Sequence, residues 1–599
     1  MFKKTQTKKR FIYLLFGIFS ITTLSAEKST EIDFNIGKNL GSSDSSLAKP
    51  STHAVASAHP LATQAGIDIL KQGGNAFDAA VAVSATLAVV EPYSSGIGGG
   101  GFWLLHRVAD KPENNKQIMI DGRERAPFAA TDTMYQDKQG NVIPKLSVDG
   151  ALAAGIPGEP AALAHIAKQY GRLPLKKTLA HAIRAAREGF EVDAYYQNMA
   201  KFRKNVLNNW SESSDVFLDN GNVPAIGNRI KQPHLAMTLD ALAEQGRDGF
   251  YKGKIAKQLV KAVREAGGIW TEKDLAEYKV VERKPVKFQY QDKTVVSAAP
   301  PSSGGIALAT MLNILSGYDL DMSNRGLNKK SNKTMRTHLI VEAMRRAYRD
   351  RAEYLGDADF VKIPSHLMNP IYAAGLRASI NKKSATPSRL LPGKADSSSG
   401  FHTTHFSILD KEGNRVAATL SINYPFGSGF VAKGTGVLLN DEMDDFSAKP
   451  GVPNVYGLVG AKANAIEPGK RPLSSMSPTF VESESGVAIL GTPGGSRIIT
   501  MVLLGILESE KSNEPQDWVS LPRFHHQYLP DVIEYEAKAF SDTSIKELQQ
   551  LGHELKPVSN YGNMQAVYWD YKSKQVKAAS DPRGVGQALV GKTVSDDRN

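Results

Sequence analysis

A threonine pair precedes a segment whose pattern predicts a β-hairpin. Apolar and polar residues alternate over Thr404–Leu409, and the run Val416–Ile422 is rich in β-branched and small side chains. The connection Asp410–Asn414 contains a glycine, where a short hairpin needs a left-handed residue. If Asp410 pairs with Asn414, then Thr403 faces Ser421, because the residue numbers of paired residues in an antiparallel hairpin have a constant sum. Such neighbours lie roughly 5 Å apart at Cβ, so one hydroxyl can orient the other.

A hydroxyl at the end of a strand becomes a nucleophile only if another group removes its proton. A histidine, a lysine, or the nucleophile's own α-amino group after chain cleavage can do so. His405 has the same parity along the strand as Thr403, so it could share the sheet face. The serine-rich run 395–400 would suit a cleavable, exposed connection. On the hairpin alone, an ordinary surface hairpin behind a polar loop remains the alternative.

Longer strings around this hairpin carry a family resemblance. From Thr403 to Ser496 the chain resembles the small subunit of the bacterial γ-glutamyltranspeptidases, which are glutathione hydrolases of the N-terminal-nucleophile superfamily. The matching strings are TTHFSILDKEGN, LLNDEMDDFSAKPGVPNVYGLVGAKANA, KRPLSSMSPT and GTPGGSRIIT, and upstream DGRERAP, PPSSGGIAL and the glycines 96–101. PRFHHQYLPD and SDPR follow near the C-terminus. The resemblance covers about residues 53 to 583.

This resemblance implies a fold and a maturation step. The fold would be α+β, a four-layer αββα sandwich with two central antiparallel sheets. Thr403 occupies the nucleophile position, and the His402–Thr403 bond would be cut by attack of the Thr403 hydroxyl. Residues 27–402 would become the large subunit and residues 403–599 the small subunit of a heterodimer. The new α-amine, with a pKa of about 7.7–8.0 when unperturbed, would serve as the base.

The same resemblance implies a set of site residues. Catalytic roles fall on Ser421, at a position where the family usually has threonine, and on an oxyanion hole. Substrate-binding roles fall on residues that hold the α-carboxylate and the α-ammonium of a γ-glutamyl group, and on a lid loop at 450–468. These residues are Gly494 and Gly495 for the oxyanion hole, Arg123, Ser474 and Ser475 for the carboxylate, Asn423, Glu442 and Asp445 for the ammonium, and Tyr456 in the lid.

Composition and the first residues favour an exported globular protein. The 599 residues are 41% hydrophobic and 22% charged, and they include no cysteine, so disulfides and a cysteine nucleophile are excluded. The formal charge of +12 could indicate an anionic partner, but the basic residues are scattered and no nucleic-acid partner is predicted. The basic cluster at 3–10, the apolar run Phe11–Leu24 and the small residues Ser25-Ala26 predict a signal peptide over 1–26. An uncleaved N-terminal anchor is the alternative, and residues 27–49 are predicted to be poorly ordered.

Helix signals dominate the first part of the chain and strand signals the part after Phe401. Helices are predicted over Pro60–Gln72, Ala76–Val90 with Asn75 as N-cap, Leu175–Glu188, Thr334–Tyr354 and, buried, Arg497–Leu507. The run Gly98–Gly101 lacks the Lys-Ser or Lys-Thr of a phosphate loop, which favours close backbone packing under the active site. His525 and His526 would point to opposite faces of a strand, so no metal is predicted, and no cofactor.

The function that the resemblance implies is γ-glutamyl transfer from glutathione to water, or to amino acids and dipeptides, and the signal-peptide pattern places it in the periplasm or outside the cell. A related acylase of the same fold, acting on cephalosporin-type or polymeric substrates, is one alternative. A processed but inactive binding protein for γ-glutamyl ligands is another. Arg123 with Ser474-Ser475 and the long lid argue against the first, and the intact set around Thr403 argues against the second.

Overall fold

The computed structural model describes residues 35–36, 48–320, 329–391, 403–455, 457–458 and 460–592, with backbone alone at 35–36 and 329–332. The predicted signal peptide, the run 395–400, His402 and Tyr456 therefore lie outside the described residues, as does most of 27–49. Within the described residues, no helix combines the length and apolar character that crossing a membrane requires.

The helices lie mostly in the part of the chain before residue 403. They are α1 (Pro60–Lys71), α2 (Ala76–Val90), α3 (Glu159–Gln169), α4 (Leu175–Thr178), α5 (Ala180–Glu188), α6 (Ala194–Asn208), α7 (Ser211–Phe217), α8 (Pro233–Gln245), α9 (Asp248–Tyr251), α10 (Gly253–Glu265), α11 (Glu272–Ala276), α12 (Gly304–Leu315), α13 (Lys329–Tyr354), α14 (Pro370–Ala378), α15 (Ile498–Ser509), α16 (Pro515–Ser520) and α17 (Asp542–Gln550).

Most strands belong to two seven-stranded sheets. The strands are β1 (Asn35–Ile36), β2 (Ala54–Ser57), β3 (Gly100–Arg107), β4 (Lys116–Gly122), β5 (Phe190–Glu191), β6 (Arg229–Ile230), β7 (Val281–Arg283), β8 (Val286–Tyr290), β9 (Lys293–Ser297), β10 (Thr404–Leu409), β11 (Arg415–Ser421), β12 (Val431–Ala432), β13 (Val437–Leu438), β14 (Thr479–Glu482), β15 (Gly486–Gly491), β16 (Phe524–His525), β17 (Ile533–Glu536), β18 (Leu555–Val558), β19 (Gln565–Asp570), β20 (Val576–Ser580) and β21 (Gln587–Val590). The first sheet has the order β21-β2-β10-β11-β3-β4-β7, and the second β1-β8-β9-β14-β15-β19-β20.

Strand alternation builds four layers from these sheets. In β10, Phe406 and Ile408 pack into a core with helices α1 and α2, whereas Leu409 packs into a core shared by both sheets. The second sheet mirrors this arrangement, because Phe480 and Ile489 enter the shared core while Val481 and neighbouring residues pack on α12, α13 and α15. Each sheet is apolar on both faces, so both faces must be covered, one by helices and the other by the second sheet. The predicted αββα sandwich is confirmed.

The helix predictions are mostly confirmed. Helix α2 begins after Asn75, whose side chain accepts from the backbone N–H groups of Phe77 and Asp78 in a capping box. The prediction of one continuous helix over Leu175–Glu188 was wrong. Two helices, α4 and α5, occupy this range, and Leu179 separates them. The helical spacing of apolar residues continues across Leu179, so the sequence pattern alone does not reveal the break between the two helices.

Strands from before and after residue 403 alternate in the first sheet. Strand β10 lies between β2 and β11, and β11 in turn pairs with β3. β21, from the end of the chain, pairs with the other edge of β2. In this sheet the two halves of the chain are therefore joined by ladder hydrogen bonds along three strand boundaries.

Candidate active site

The predicted register of the β10–β11 hairpin is confirmed. Thr404 pairs with Leu420, and the ladder continues to Leu409 and Arg415 at the turn. The Asp410 N–H donates to the Asn414 carbonyl at 3.0 Å, which closes the turn. One step beyond Thr404, this register brings Thr403 opposite Ser421, and both residues line one cleft.

Thr403 belongs to the face of β10 that looks toward the second sheet. Thr403 and Ser407 are an even number of residues apart, so their side chains share one face of the strand. The Ser407 Oγ donates to the Gln565 carbonyl of β19 at 3.0 Å. His405 lies between them and packs against Gly491 at the end of β15. The nucleophile candidate therefore stands at the end of the space between the two sheets.

His405 does not suit the role of base. Its Nδ1 is 2.9 Å from the Thr419 hydroxyl, and burial lowers the pKa of the imidazole to about 3. An imidazole held neutral and paired elsewhere would not take a proton from Thr403 in the physiological range. The described lining of the cleft contains no lysine.

The cleft brings together most of the predicted site residues. Side chains and backbone groups from eight separate chain segments meet there. Its lining comprises Arg123, Arg351, Thr403, Ser421, Asn423, Asp445, Leu458, Ser474, Ser475, Met476, Gly495, Ser496 and Ile498. Glu442 and Gly494 adjoin this lining through Arg123 and Gly495 respectively.

Arg123 forms the centre of a buried ion-pair group. Its Nη1 donates to Glu442 Oε2 and its Nη2 to Asp445 Oδ2, both at 2.5 Å. Its Nε donates to the Pro472 carbonyl at 3.2 Å, just before the two serines of the cleft. The predicted carboxylate-binding and ammonium-binding residues thus contact each other.

Burial opposes ionisation on the acidic side of this group. Burial raises the pKa of Glu442 to about 8, although Arg123 opposes that shift. Burial also raises the pKa of Glu124, whose Oε2 lies 3.5 Å from Arg123 Nη1. A cationic ligand would favour ionisation of these groups, because an opposite charge stabilises the charged form.

Ser421 connects the hairpin to the acidic side. Its Oγ accepts the Asn423 N–H at 2.8 Å, and its side chain hydrogen-bonds to Glu442. Asn423 has φ of 72°, and its Nδ2 donates to the Asp441 carbonyl at 3.0 Å. The bend after β11 therefore points the Asn423 carboxamide away from the sheet and into the site.

The two serines of the cleft are positioned by the segment before α12. The Ser474 N–H donates to the Pro301 carbonyl at 2.8 Å, and the Ser303 N–H donates to the Ser474 carbonyl at 2.8 Å. The Ser475 hydroxyl accepts from Arg351 Nη2 at 3.2 Å. The segments PPSSGG and LSSMS are therefore held together by backbone hydrogen bonds.

Gly494 and Gly495 follow β15 and lead into α15. Their φ angles are 142° and 55°, and a Cβ on Gly494 would lie 2.5 Å from Met501 Cε. Only glycine adopts this pair of conformations without strain. The turn brings two successive peptide groups to the start of a helix opposite Thr403, an arrangement that suits an oxyanion.

The glycines before β3 pack closely, as predicted. A Cβ on Gly99 would lie 2.2 Å from the Ser421 carbonyl oxygen, and one on Gly98 would lie 2.0 Å from that of Leu438. They allow the backbone to pass directly beneath the end of β11.

The His525 and His526 imidazoles have different hydrogen-bond partners. His525 contacts Thr500 and Gln527, and His526 contacts Asp531.

The lid segment reaches the cleft through Leu458, which lines it. The Leu458 N–H donates to Asn454 Oδ1 at 3.1 Å, and Val455 donates its N–H to Asp444 Oδ2 at 2.9 Å. Tyr456, the residue predicted for substrate contact, lies outside the described residues.

A buried group of His338, Glu342 and His553 resembles a metal site, away from the cleft. The two imidazoles hydrogen-bond each other at 2.8 Å, between His338 Nδ1 and His553 Nε2. Glu342 already pairs with Arg345 and Arg346. Two guanidinium groups supply the charge that a metal would bring, so these residues fit a structural role.

Arg351 is a charged residue of the cleft that sequence reasoning missed. It lies on α13 within a helix rich in arginine, where nothing in the local pattern separates it from Arg345, Arg346 or Arg349. Only the packing of α13 against the two serine segments brings it to the site.

Comparisons with known proteins agree with this site. A family model described as gamma-glutamyltranspeptidase matches residues 62–591. The glutathione hydrolase proenzyme of Escherichia coli (strain K12) is 44% identical over 542 residues, covering 90% of this chain and 91% of that protein. The glutathione hydrolase proenzyme of Pseudomonas aeruginosa is 43% identical over 550 residues, covering 90% of this chain and 94% of that protein.

Solved structures give the same result. The γ-glutamyltranspeptidase of Helicobacter pylori is 40% identical with a TM-score of 0.52, over 56% of this chain and 93% of that chain. A cephalosporin acylase from Bacillus halodurans is 27% identical with a TM-score of 0.76, over 93% of this chain and 99% of that chain. The family match, the sandwich of two sheets and the cleft together show that this chain belongs to the γ-glutamyltranspeptidase family, within the N-terminal-nucleophile hydrolases.

Proposed function

We propose that this chain is a self-cleaving γ-glutamyltransferase and glutathione hydrolase, with Thr403 as its nucleophile. The observation that carries the proposal is the cleft in which Thr403 meets Arg123, Asp445, the two serines and Gly495. Relatives named glutathione hydrolase proenzyme support the activity and the maturation step. The donor would be glutathione or another γ-glutamyl compound, and the acceptor water, an amino acid or a dipeptide.

Maturation begins with the hydroxyl of Thr403. Its oxygen attacks the carbonyl carbon of His402, the C–N bond breaks, and the acyl group passes from nitrogen to oxygen. Water then hydrolyses this ester, which leaves a carboxylate on His402 and a free α-amine on Thr403. Residues 27–402 and 403–599 become the large and small subunits, which remain together as a heterodimer.

In turnover, the α-amine accepts the Thr403 proton as the oxygen attacks the γ-carbonyl of the donor. The backbone N–H groups of Gly494 and Gly495 stabilise the oxyanion. Collapse breaks the γ-amide bond, and the protonated base returns its proton to the leaving amine. Water or an acceptor amine then attacks the γ-glutamyl ester and releases glutamate or a new γ-glutamyl amide.

Charge at both ends of the cleft defines the donor. Arg123, Ser474 and Ser475 receive the α-carboxylate, since a guanidinium holds a carboxylate with two parallel hydrogen bonds. Asn423, Glu442 and Asp445 receive the α-ammonium, and substrate contact is also assigned to Tyr456. The donor zwitterion inserts its charges between Arg123 and its two carboxylate partners, so every buried charge keeps a partner.

A cephalosporin acylase activity is the nearest alternative, because such an enzyme shares the sandwich over 93% of this chain. Incubation of the purified chain with a chromogenic γ-glutamyl anilide, with and without glycylglycine, tests the proposal. We expect release of the aniline and a faster release with the acceptor. Release from a glutaryl anilide, which keeps the carboxylate but lacks the α-ammonium, at an equal rate would instead favour the acylase.

Export to the periplasm or beyond is part of the proposal. It rests on the basic and apolar segments within residues 1–26. Amino-terminal sequencing of the large subunit from the exporting cell checks it, with a start near Glu27 expected. A large subunit that begins at Met1 would contradict removal of a signal peptide.

A further inference from the structure

Arg351 enters the cleft from the helical layer behind the second sheet. It lies on α13 and is buried, with 4% of its surface exposed, yet it lines the same cleft as Thr403. One turn earlier on the same face, Tyr348 donates its hydroxyl to the Ser496 carbonyl, next to the Gly494–Gly495 turn. Helix α13 is therefore attached to the site at two points.

The partners of Arg351 are neutral. Its Nε donates to the Ser303 hydroxyl at 2.9 Å, and its Nη2 donates to the Ser475 hydroxyl at 3.2 Å. Among the described residues, no carboxylate forms an ion pair with it at 4.0 Å or less. Burial lowers the pKa of Arg351, the charge of Arg123 acts in the same direction, and Tyr348 and Asp445 oppose both.

Arg123 differs from Arg351 in its charge balance. Two carboxylates, those of Glu442 and Asp445, contact Arg123 at 2.5 Å. A substrate carboxylate that approaches Arg123 alone would compete with both of them. At Arg351 the same carboxylate would meet a buried cation that lacks a counter-ion, and a buried charge is costly until it is paired.

We propose that Arg351, together with Ser475, binds the α-carboxylate of the γ-glutamyl donor as a second guanidinium beside Arg123. This inference rests on the proposed function. Arg351 supplies the net positive charge that attracts the carboxylate, and Arg123 links that carboxylate to the acidic residues that receive the ammonium. Arg351 also holds the Ser475 hydroxyl, so that its position is fixed before the substrate arrives.

The test couples a change in the enzyme to a change in the substrate. Wild type and Arg351→Gln are assayed with a chromogenic γ-glutamyl anilide and with the same anilide whose α-carboxylate is a primary amide. With the first substrate we expect Arg351→Gln to raise KM about tenfold to a hundredfold, the range for hydrogen bonds to a charged group, and to change kcat much less. The penalty for replacing the carboxylate by the amide should be large in wild type and mostly lost in Arg351→Gln.

Arg349→Gln is the matched control. Arg349 lies on the same helix, pairs with Asp350 at 2.9 Å and lies over the Tyr354 ring outside the cleft lining. It should keep the wild-type KM and the wild-type amide penalty. A denaturing gel first confirms that each variant has matured into two chains. If Arg351→Gln remains uncut, the same comparison in Arg351→Lys decides, since lysine keeps the charge and loses the planar pair of donors.

The outcomes separate this inference from the proposed function. If wild type turns over the γ-glutamyl anilide while the Arg351 variant shows an unchanged KM and an unchanged amide penalty, Arg351 does not bind the carboxylate. If wild type does not turn over the γ-glutamyl anilide, the proposed function is wrong and this inference falls with it.

Discussion

Thr403 stands opposite Ser421 across the β10–β11 hairpin, one step beyond the Thr404–Leu420 pair. The Ser421 Oγ accepts the Asn423 N–H at 2.8 Å and its side chain hydrogen-bonds to Glu442. The hydroxyl next to the nucleophile is thus fixed by the residues proposed to bind the substrate ammonium. Occupancy of that end of the cleft and orientation of the nucleophile are linked through one side chain.

Thr403→Ala should yield a single uncut chain without turnover, because the attacking oxygen is removed. Thr403→Ser keeps that oxygen and should still mature, though more slowly. A denaturing gel and the anilide assay measure both. Two chains from the alanine variant would contradict self-cleavage by Thr403.

Ser421→Ala should lower kcat/KM by about tenfold, the effect of losing one hydrogen bond of roughly 1.5 kcal/mol. Ser421→Thr retains the hydroxyl and serves as its control, with activity within a few-fold of wild type. Steady-state kinetics on the matured enzymes gives the answer. Equal losses in both variants would point to packing instead of the hydroxyl.

Arg123→Ala should impair both binding and stability. It raises KM for γ-glutamyl donors and leaves Glu442 and Asp445 without their buried counter-ion, at a cost of about 3–5 kcal/mol. Denaturant unfolding in the uncut Thr403→Ala background measures the loss of stability separately from the loss of binding. Arg172→Ala, which breaks an exposed pair with Glu412, should cost less than about 1 kcal/mol there. A KM that stays at the wild-type value would remove Arg123 from the site.

Gly494→Ala should reduce kcat by about 10²–10³-fold, the effect of losing one oxyanion-hole donor. The reason is geometric, because an added Cβ meets Met501 Cε at 2.5 Å and φ is 142°. Gly227→Ala is the control, since φ there is 88° and no atom lies within 4 Å of a Cβ. If the two variants retain equal kcat, the turn after β15 does not stabilise the oxyanion.

Glu91 should make stability fall as pH rises. Its Oε2 accepts the Thr404 hydroxyl at 2.7 Å, and burial raises the pKa of its carboxyl from 4.5 to about 7. Between these values the folded chain holds a proton that the unfolded chain has lost. The free energy of unfolding should therefore drop through this window, by roughly 3 kcal/mol from this group.

Glu91→Gln removes that titration and keeps an acceptor for Thr404. Thermal unfolding from pH 4.5 to 8 should show a weaker pH dependence in this variant than in wild type. Glu188→Gln, on the exposed surface of α5, should follow wild type. Parallel curves for all three chains would contradict the raised pKa of Glu91.

Much of this site could be predicted from the sequence, for reasons that differ between residues. The Thr403–Ser421 pairing followed from hairpin register, since strand partners are fixed by the turn. Arg123, Ser474 and Gly494 were assigned by resemblance, and the structure brings them together from distant segments. Arg351 could not be predicted because its role depends on how α13 packs, and four other arginines on that helix have the same local pattern. The contact of Arg123 with its acidic neighbours likewise depends on how distant segments pack together.

The order of strands in the first sheet has a consequence for the proposed maturation. Strand β10 is hydrogen-bonded on one side to β2, and its other neighbour β11 is hydrogen-bonded to β3. A cut between residues 402 and 403 would break one covalent bond and none of these strand pairs. The residue after the cut would stay attached to a strand that is held on both sides, and the two resulting chains would remain interlocked within one sheet.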